Sequence, residues 1–313
     1  MGKYAFGVDI GGTTVKIGLF EANGELLNKW EIPTNKADSG ECIIPDIVAS
    51  LREEMEKKGI SEEELCGIGV GAPGAVDEEG VLVGGAVNIG WKPFNIPEAF
   101  NAYIKVPVKA VNDANSAAFG EMWKGGGRGC SNMVAVTLGT GVGGGIIIGG
   151  SILTGATGAG GEIGHIHIED KETEICGCKN KGCLEQYASA TGIVRLAKRR
   201  LAADGEASVL REQEISAKTV FDAVKAGDKV AIEIAEQFGE YLGKGLAAVA
   251  NVVNPERFVI GGGVSKAGEV LLSYVEPQFQ KYAFPPCRGA KFALAELGND
   301  AGIYGAAGLV LRK

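Results

Sequence analysis

The sequence predicts an α/β fold made of two related halves, with ligands bound at the ends of strands. Three observations carry that prediction. Apolar runs of strand length alternate with helix-period patterns along the whole chain. A strand–glycine turn–strand unit near the start recurs from Met133, as expected of two halves with a common plan. The length of 313 residues exceeds one typical domain and suits two of roughly 150 each.

The elements follow in order. Tyr4 to Ile10 is an apolar strand, Gly11-Gly12-Thr13-Thr14 a turn, and Val15 to Phe20 a second strand. Asn23-Gly24 is a hairpin signal ahead of Leu26 to Ile32. Ile43, Ile47, Val48, Leu51 and Met55 keep helical spacing, and Gly59 stands where such a helix stops. Cys66 to Val70 and Val106 to Val111 are further apolar runs that end in turns. Met133 to Leu138, Gly139-Thr140-Gly141 and Val142 to Ile148 repeat the opening unit, and Gly149-Gly150 turns the chain into Ser151 to Leu153. A long helix is predicted over 230–253, with Ile234, Phe238, Leu242, Leu246, Val249 and Val253 on one stripe. Pro255 ends it before the strand Phe258 to Ile260 and the loop Gly261-Gly262-Gly263, and a last helix is predicted over 302–311.

Composition narrows the function classes. Apolar residues make up 45% and charged residues 22%, ordinary values for a soluble globular chain. The fifty glycines are more than twice the usual ~7% and gather in short loops, where backbone comes close to a ligand. A net charge of −8 argues against a nucleic-acid partner, which needs a dense basic face. The tight basic run of Arg195, Lys198, Arg199 and Arg200 reads as a solvated helix face. No apolar stretch approaches the ~20 residues that span a bilayer, and no N-terminal signal is visible, so no membrane partner is expected. Seven cysteines do not form an even disulfide framework, so a reduced, cytoplasmic compartment is expected.

Three loops share one design, an apolar strand emptying into glycines and hydroxyls. They are Asp9–Lys16, Leu138–Gly145 and Ile260–Ser265. Without a Cβ, successive N–H groups can point at phosphate oxygens, and threonine adds a hydroxyl donor. Asp9 can hold Mg²⁺ through water, and Lys16 can balance phosphate charge. None is a Walker loop, because the Gly-Lys-Ser/Thr ending is missing. Any one alone could be a tight hairpin; three on two matched halves are what a nucleotide cleft requires.

Cys176-x-Cys178-x4-Cys183 places three thiols close together, with His165 eleven residues before the first. Three Cys and one His suit tetrahedral zinc, the alternatives being a redox site or a chance cluster of reduced thiols. Asn112-Asp113-Ala114-Asn115 closes an apolar strand ahead of an alanine-rich helix, which reads locally as an N-cap.

On these residues the chain resembles the sugar kinase/actin/Hsp70 superfamily. Asp9 to Lys16, Leu138 to Gly145 and Gly261 to Gly263 look like its phosphate-1, phosphate-2 and adenosine motifs. Glu162-Ile163-Gly164-His165 followed by Cys176-Gly177-Cys178-Lys179-Asn180-Lys181-Gly182-Cys183-Leu184-Glu185 resembles the signature of the ROK family (repressors, open reading frames and kinases). Lys179 stands where that family usually has glycine.

The resemblance implies a two-domain sugar kinase/actin/Hsp70 (ribonuclease H-like) fold with an interdomain cleft. Residues 1–117 with 300–313 would form a small domain and 118–299 a large one, with a hinge near 113–130. It implies ATP-dependent phosphorylation of glucose at the 6-hydroxyl; N-acetylmannosamine, mannose and fructose are the alternative substrates. Asp113 would be the general base, and Gly74, Asn88, Asn112, Asp113, Glu162, His165 and Glu185 would contact the sugar. Asp9, Gly11, Gly12, Thr13, Thr14, Lys16, Gly139, Thr140, Gly141, Gly262 and Gly263 would hold ATP and Mg²⁺. Structural Zn²⁺ would sit on His165, Cys176, Cys178 and Cys183, with His167 the rival ligand. A homodimer is expected. A sugar-responsive repressor would carry a DNA-binding segment before the first loop, for which Asp9 leaves no space.

Overall fold

The computed structural model describes residues 2–312. The first sheet contains β1 (Tyr4–Ile10), β2 (Thr14–Glu21), β3 (Leu26–Pro33) and β4 (Leu65–Ala72), with helix α1 (Ile43–Lys58) between β3 and β4. A short ribbon, β5 (Val81–Leu82) and β6 (Phe94–Asn95), leads through α2 (Ile96–Asn101) to β7 (Val108–Asn112). The sheet order is β3-β2-β1-β4-β7. Central strands are buried on both faces, whereas β3 alternates half-buried and exposed residues, as an edge strand does. Helix α1 buries Ile43, Ile47, Val48, Leu51 and Met55, and Gly59 ends it at φ 66°, a conformation that costs glycine nothing.

Helix α3 (Asp113–Lys124) leads into the second sheet, which begins with β8 (Met133–Leu138), β9 (Val142–Ile148) and β10 (Ser151–Ile152). Helices α4 (Glu185–Ala188), α5 (Ala190–Ala203), α6 (Ala217–Lys225) and α7 (Lys229–Val253) precede β11 (Arg257–Gly261). The chain continues through α8 (Glu269–Tyr282) and β12 (Lys291–Leu294) to α9 (Ala301–Leu311). The order here is β10-β9-β8-β11-β12. In both sheets the first three listed strands pair antiparallel and the remaining pairings are parallel. The internal similarity read from the glycine turns is therefore one of topology as well. Helix α7 matches its predicted span to within one residue; Asp228 caps its start by accepting from Ala231 N–H at 2.9 Å, and Asn254 ends it at φ 45°.

Two helices join the halves. Helix α9 lies against β1 and β4 of the first sheet, α3 lies against β8 and β9 of the second, and the two pack on each other. Glycine sets their distance. A methyl group on Gly305 would stand 1.6 Å from the Ser116 carbonyl oxygen, and one on Gly120 would stand 2.2 Å from that of Ala301. The Ser116 hydroxyl, fully buried, donates to the Gly302 carbonyl at 2.9 Å.

The basic run on α5 departs from expectation. Arg195 pairs with Glu172, Arg199 reaches Glu172 at 3.2 Å and Glu174 at 2.9 Å, and Arg200 joins Asp204 at 3.0 Å, Glu206 at 2.8 Å and Glu233. The Arg195 and Arg200 side chains are only 19% and 11% exposed. Arg195 and Arg199 clamp a neighbouring loop because Glu172 and Glu174, distant in sequence, fold over them, while Arg200 is closed in by Glu233 and by Asp204 and Glu206 just past its own helix. Among the described residues, no helix is long and apolar enough to cross a membrane.

Candidate active site

The parallel strands of each sheet end on the same side, and the glycine loops lie at those ends. In the first half, Gly11 N–H donates to the Thr14 carbonyl at 3.0 Å and the Thr34 hydroxyl to the Gly11 carbonyl at 2.7 Å. Thr34 N–H donates to the Thr13 carbonyl at 2.9 Å, so the turn is fixed from both sides. A methyl on Gly12 would lie 3.6 Å from Asn88 Nδ2, so the turn carrying Asn88 approaches this loop. Lys16 pairs with Asp9 across the β1–β2 hairpin, and its ammonium donates to the Asn299 carbonyl at 3.1 Å. Burial, then the charge of Asp113, pushes the Asp9 carboxyl up to about 6, with Lys16 opposing.

Asn112 and Asp113 divide two tasks between them. Asn112 Oδ1 accepts from Ala114 N–H at 2.9 Å and Asn115 N–H at 3.2 Å, capping α3. Its Nδ2 donates to the Gly74 carbonyl at 3.0 Å and to Asp113 Oδ1 at 2.9 Å. Gly74 holds φ 96°, where a methyl would stand 2.8 Å from the Gly85 carbonyl oxygen. With the cap supplied by Asn112, Asp113 keeps an oxygen for other work. Burial holds the Asp113 carboxyl above the usual carboxylate range, hydrogen bonds from Ala114 N–H and Asn112 oppose this, and the Glu162 charge adds to the rise. Asp9, Asp113 and Glu162 are thus electrostatic neighbours.

In the second half, Gly139 N–H donates to the Gly141 carbonyl at 3.0 Å, making a tight turn after β8. Beside it a cavity of about 490 Å³ is lined by Thr137, Gly262, Gly263, Ser265, Lys266 and Asn299. Gly262 turns at φ 84°, where a methyl would meet the Leu138 backbone at 2.6 Å. Glu121, nearly buried, accepts from the N–H groups of Gly126, Glu296 and Leu297 at 2.9, 3.1 and 2.9 Å, holding the cavity's far wall.

His165, Cys176, Cys178 and Cys183 bring one ligand atom each to within 4.8 Å of one another. The Cys178 and Cys183 sulfurs are 3.5 Å apart, and His165 Nδ1 lies 3.7 Å from the Cys176 sulfur. Two thiolates on tetrahedral zinc at ~2.3 Å stand about 3.8 Å apart, so the donor set and its spacing fit that ion. Burial, then the neighbouring thiols, pushes the Cys183 thiol up to about 12, so a cation here displaces protons as it binds. His167 is engaged elsewhere, with Nδ1 2.9 Å from the Lys181 carbonyl and Nε2 2.8 Å from Asp170. Lys179 adopts φ 72°, and its N–H donates to the Cys176 carbonyl at 2.8 Å. The glycine-type turn is kept by a residue that pays a steric cost for it.

Sequence reasoning missed the carboxylate that anchors this loop. Glu172, with its side chain fully buried, accepts from Thr173 and Glu174 N–H at 2.9 Å each, from the Tyr187 hydroxyl, and from Arg195 and Arg199. Tyr187 in turn stacks on Tyr241 with ring centroids 4.0 Å apart. The only available signal was an acidic residue four positions before Cys176, which has no distinctive spacing. Glu185 begins α4, beside the cluster, and Thr140 shares a hollow with Cys176 and Glu185.

The profile of the ROK family matches residues 5–313. The chain is 45% identical over 313 residues to a glucokinase of Halalkalibacterium halodurans, covering 98% of this chain and 95% of that protein. It is similar to the crystal structure of a ROK family glucokinase from Streptomyces griseus in complex with glucose and AMPPNP, with a TM-score of 0.74, 35% identity and 98% of each chain covered. The structure of a ROK hexokinase from Thermus thermophilus aligns with a TM-score of 0.79 at 30% identity, covering 97% of this chain and 96% of that one.

Proposed function

The chain belongs to the ROK family, and from that premise we propose that it phosphorylates glucose at the 6-hydroxyl, taking the phosphoryl group from ATP. The single observation that carries the mechanism is the position of Asp113, a carboxylate that accepts from Asn112 Nδ2 and Ala114 N–H at 2.9 and 2.8 Å beside the Asp9 loop. Asp113 accepts the proton of the attacking hydroxyl. Its raised affinity for a proton increases the driving force for that transfer. Gly74, Asn88, Asn112, Glu162, His165 and Glu185 bind the remaining hydroxyls, and Asn112 holds the Asp113 carboxylate through Nδ2.

The Gly11–Thr14 and Gly139–Gly141 turns receive the phosphates, and Gly262 and Gly263 line the adenosine cavity. Phosphoryl transfer needs positioning and charge neutralisation more than covalent help, which is what these loops supply. Mg²⁺, when bound, would neutralise phosphate charge, and Asp9 would hold it through water. His165, Cys176, Cys178 and Cys183 would hold Zn²⁺ with four protein ligands, so that the ion would shape the sugar site without entering the reaction. The small domain is formed by 1–117 and 300–313 and the large one by 118–299, closing about residues 113–130. The protein acts in the cytoplasm as a homodimer.

Assaying the enzyme with MgATP against glucose, mannose, fructose, N-acetylglucosamine and N-acetylmannosamine tests the substrate. The highest kcat/KM is expected for glucose. Preference for an N-acetyl sugar would replace the substrate and keep the mechanism, whereas no activity on any would end the proposal.

A pH prediction follows from Asp9. Proton and Mg²⁺ compete for its carboxylate, so the Mg²⁺ concentration giving half-maximal rate should rise about tenfold per pH unit below about 6 and level off above it. In the metal-free protein the sign is the reverse. The folded state holds this proton more tightly than the unfolded chain does, so Asp9's contribution to stability is present at acid pH and lost as pH rises through about 6. Mg²⁺ titrations of the rate from pH 5 to 8 check the first part, and an Mg²⁺ requirement independent of pH would refute it.

A further inference from the structure

Glu185 touches more than the sugar site. Its Oε2 accepts from Val142 N–H at 3.0 Å, and its Oε1 lies 3.8 Å from the Cys176 sulfur. The carboxylate presses so closely on the phosphate loop that a methyl on Gly141 would stand 2.1 Å from Oε2. Just past that short helix, at the start of α5, Ala190 N–H donates to the Gly139 carbonyl at 2.8 Å. The Gly139–Val142 turn is therefore gripped at both ends by the α4–α5 segment that follows the metal ligands. That segment is itself rigid. Tyr187 within α4 is buried against Tyr241 and bonded to Glu172, and Ser189 caps α5 by accepting from Gly192 N–H at 2.9 Å.

We propose that Glu185 is a positioning residue for the phosphate loop as well as a sugar ligand, so that sugar and nucleotide bind interdependently. This rests on the sugar-kinase reading above. A carboxylate has two oxygens, so Glu185 can keep Val142 N–H on one while a sugar hydroxyl donates to the other. The sugar then fixes the side chain that fixes the loop, and a nucleotide meets a turn whose ordering cost has already been met. Coupling of this kind is reciprocal and typically spans about 5–150-fold in affinity.

The decisive measurement is nucleotide binding with no sugar present, where a residue that served only as a sugar ligand would have no effect. Wild-type enzyme and the Glu185→Ala, Glu185→Asp and Glu185→Gln variants, each checked for metal content, would be titrated calorimetrically with AMPPNP and Mg²⁺. Glu185→Ala should bind at least fivefold more weakly than wild type. Glu185→Asp, which keeps the charge but is one methylene too short, should match Glu185→Ala. Glu185→Gln, which keeps an acceptor for Val142 N–H, should stay within about twofold of wild type. Unchanged or tighter binding in Glu185→Ala would overturn the proposal, and so would an equal loss in Glu185→Gln. In wild type, AMPPNP should tighten glucose binding by the same factor by which glucose tightens AMPPNP. A wild-type enzyme that takes no glucose would count against the sugar reading, and the nucleotide titrations would still decide the role of Glu185 in the loop.

Discussion

Replacing Asp113 with asparagine should lower kcat by ~10²–10⁴-fold, the range a general base contributes, while the KM values for glucose and ATP change by less than about threefold. The substitution is chosen to separate chemistry from architecture. Asparagine has the same shape, and its Oδ1 can still accept from Ala114 N–H and Asn112 Nδ2, now made at 2.8 and 2.9 Å. Helix α3 keeps its cap because Asn112, not Asp113, supplies it. What disappears is an oxygen able to take a proton. Alanine would serve less well, since it leaves the Asn112 amide without one of its acceptors and mixes a binding defect into the rate. Steady-state kinetics, with calorimetry of glucose and AMPPNP, give the answer. A kcat within threefold of wild type would remove Asp113 from the reaction, whereas intact kcat with a large rise in KM would make it a ligand only.

Removing the metal should have the second largest effect. Chelation of the purified enzyme is expected to raise the KM for glucose at least tenfold and to lower the melting temperature, with Zn²⁺ restoring both. The reason lies in the loop between Glu162 and Glu185. Beyond a single 3-10 turn at Ile163–His165 it contains only turns and isolated bridges, so few of its backbone groups are fixed by a sheet or helix. Glu172 anchors its middle, but His165 and Cys176–Cys183, next to two proposed sugar ligands, would depend on the cation proposed for that cluster. A ligand present at about a thousand times its Kd contributes roughly 4 kcal/mol to stability, and chelation withdraws that contribution. Metal analysis, differential scanning calorimetry and glucose titration monitored by tryptophan fluorescence test this together. A metal-free protein that binds glucose as tightly as the loaded one would mean that the cluster does not shape the site.

What was legible in the sequence was local. The glycine turns at Gly11–Thr14 and Gly139–Gly141 sit between apolar strands, and both the strands and their pairing follow from that arrangement. The Cys176–Cys183 spacing likewise carries its geometry within eight residues. Helices α6 and α8 escaped because their apolar positions are interrupted by polar and small residues and make sense only against α7 and its neighbours. The fate of Arg195 was illegible for a related reason. A charged helix face looks solvated until Glu172, 23 positions earlier, is known to fold onto it. Glu121 and Glu185 show the same limit, since their partners Leu297 and Val142 are chosen by tertiary structure alone. Lys179 is the reverse case, where the expected glycine is absent and the turn forms regardless.

The position of α9 has a consequence for how the protein is made. Its residues, 301–311, lie against β1 and β4, yet they leave the ribosome after every strand of the second sheet. During synthesis the first sheet must wait, with the glycine-floored track around Gly7 and Gly69 still uncovered, while the second half completes itself. Domains usually mature from the N-terminus onward. Here the earlier sheet is sealed after the later one, by a helix that follows every strand of both.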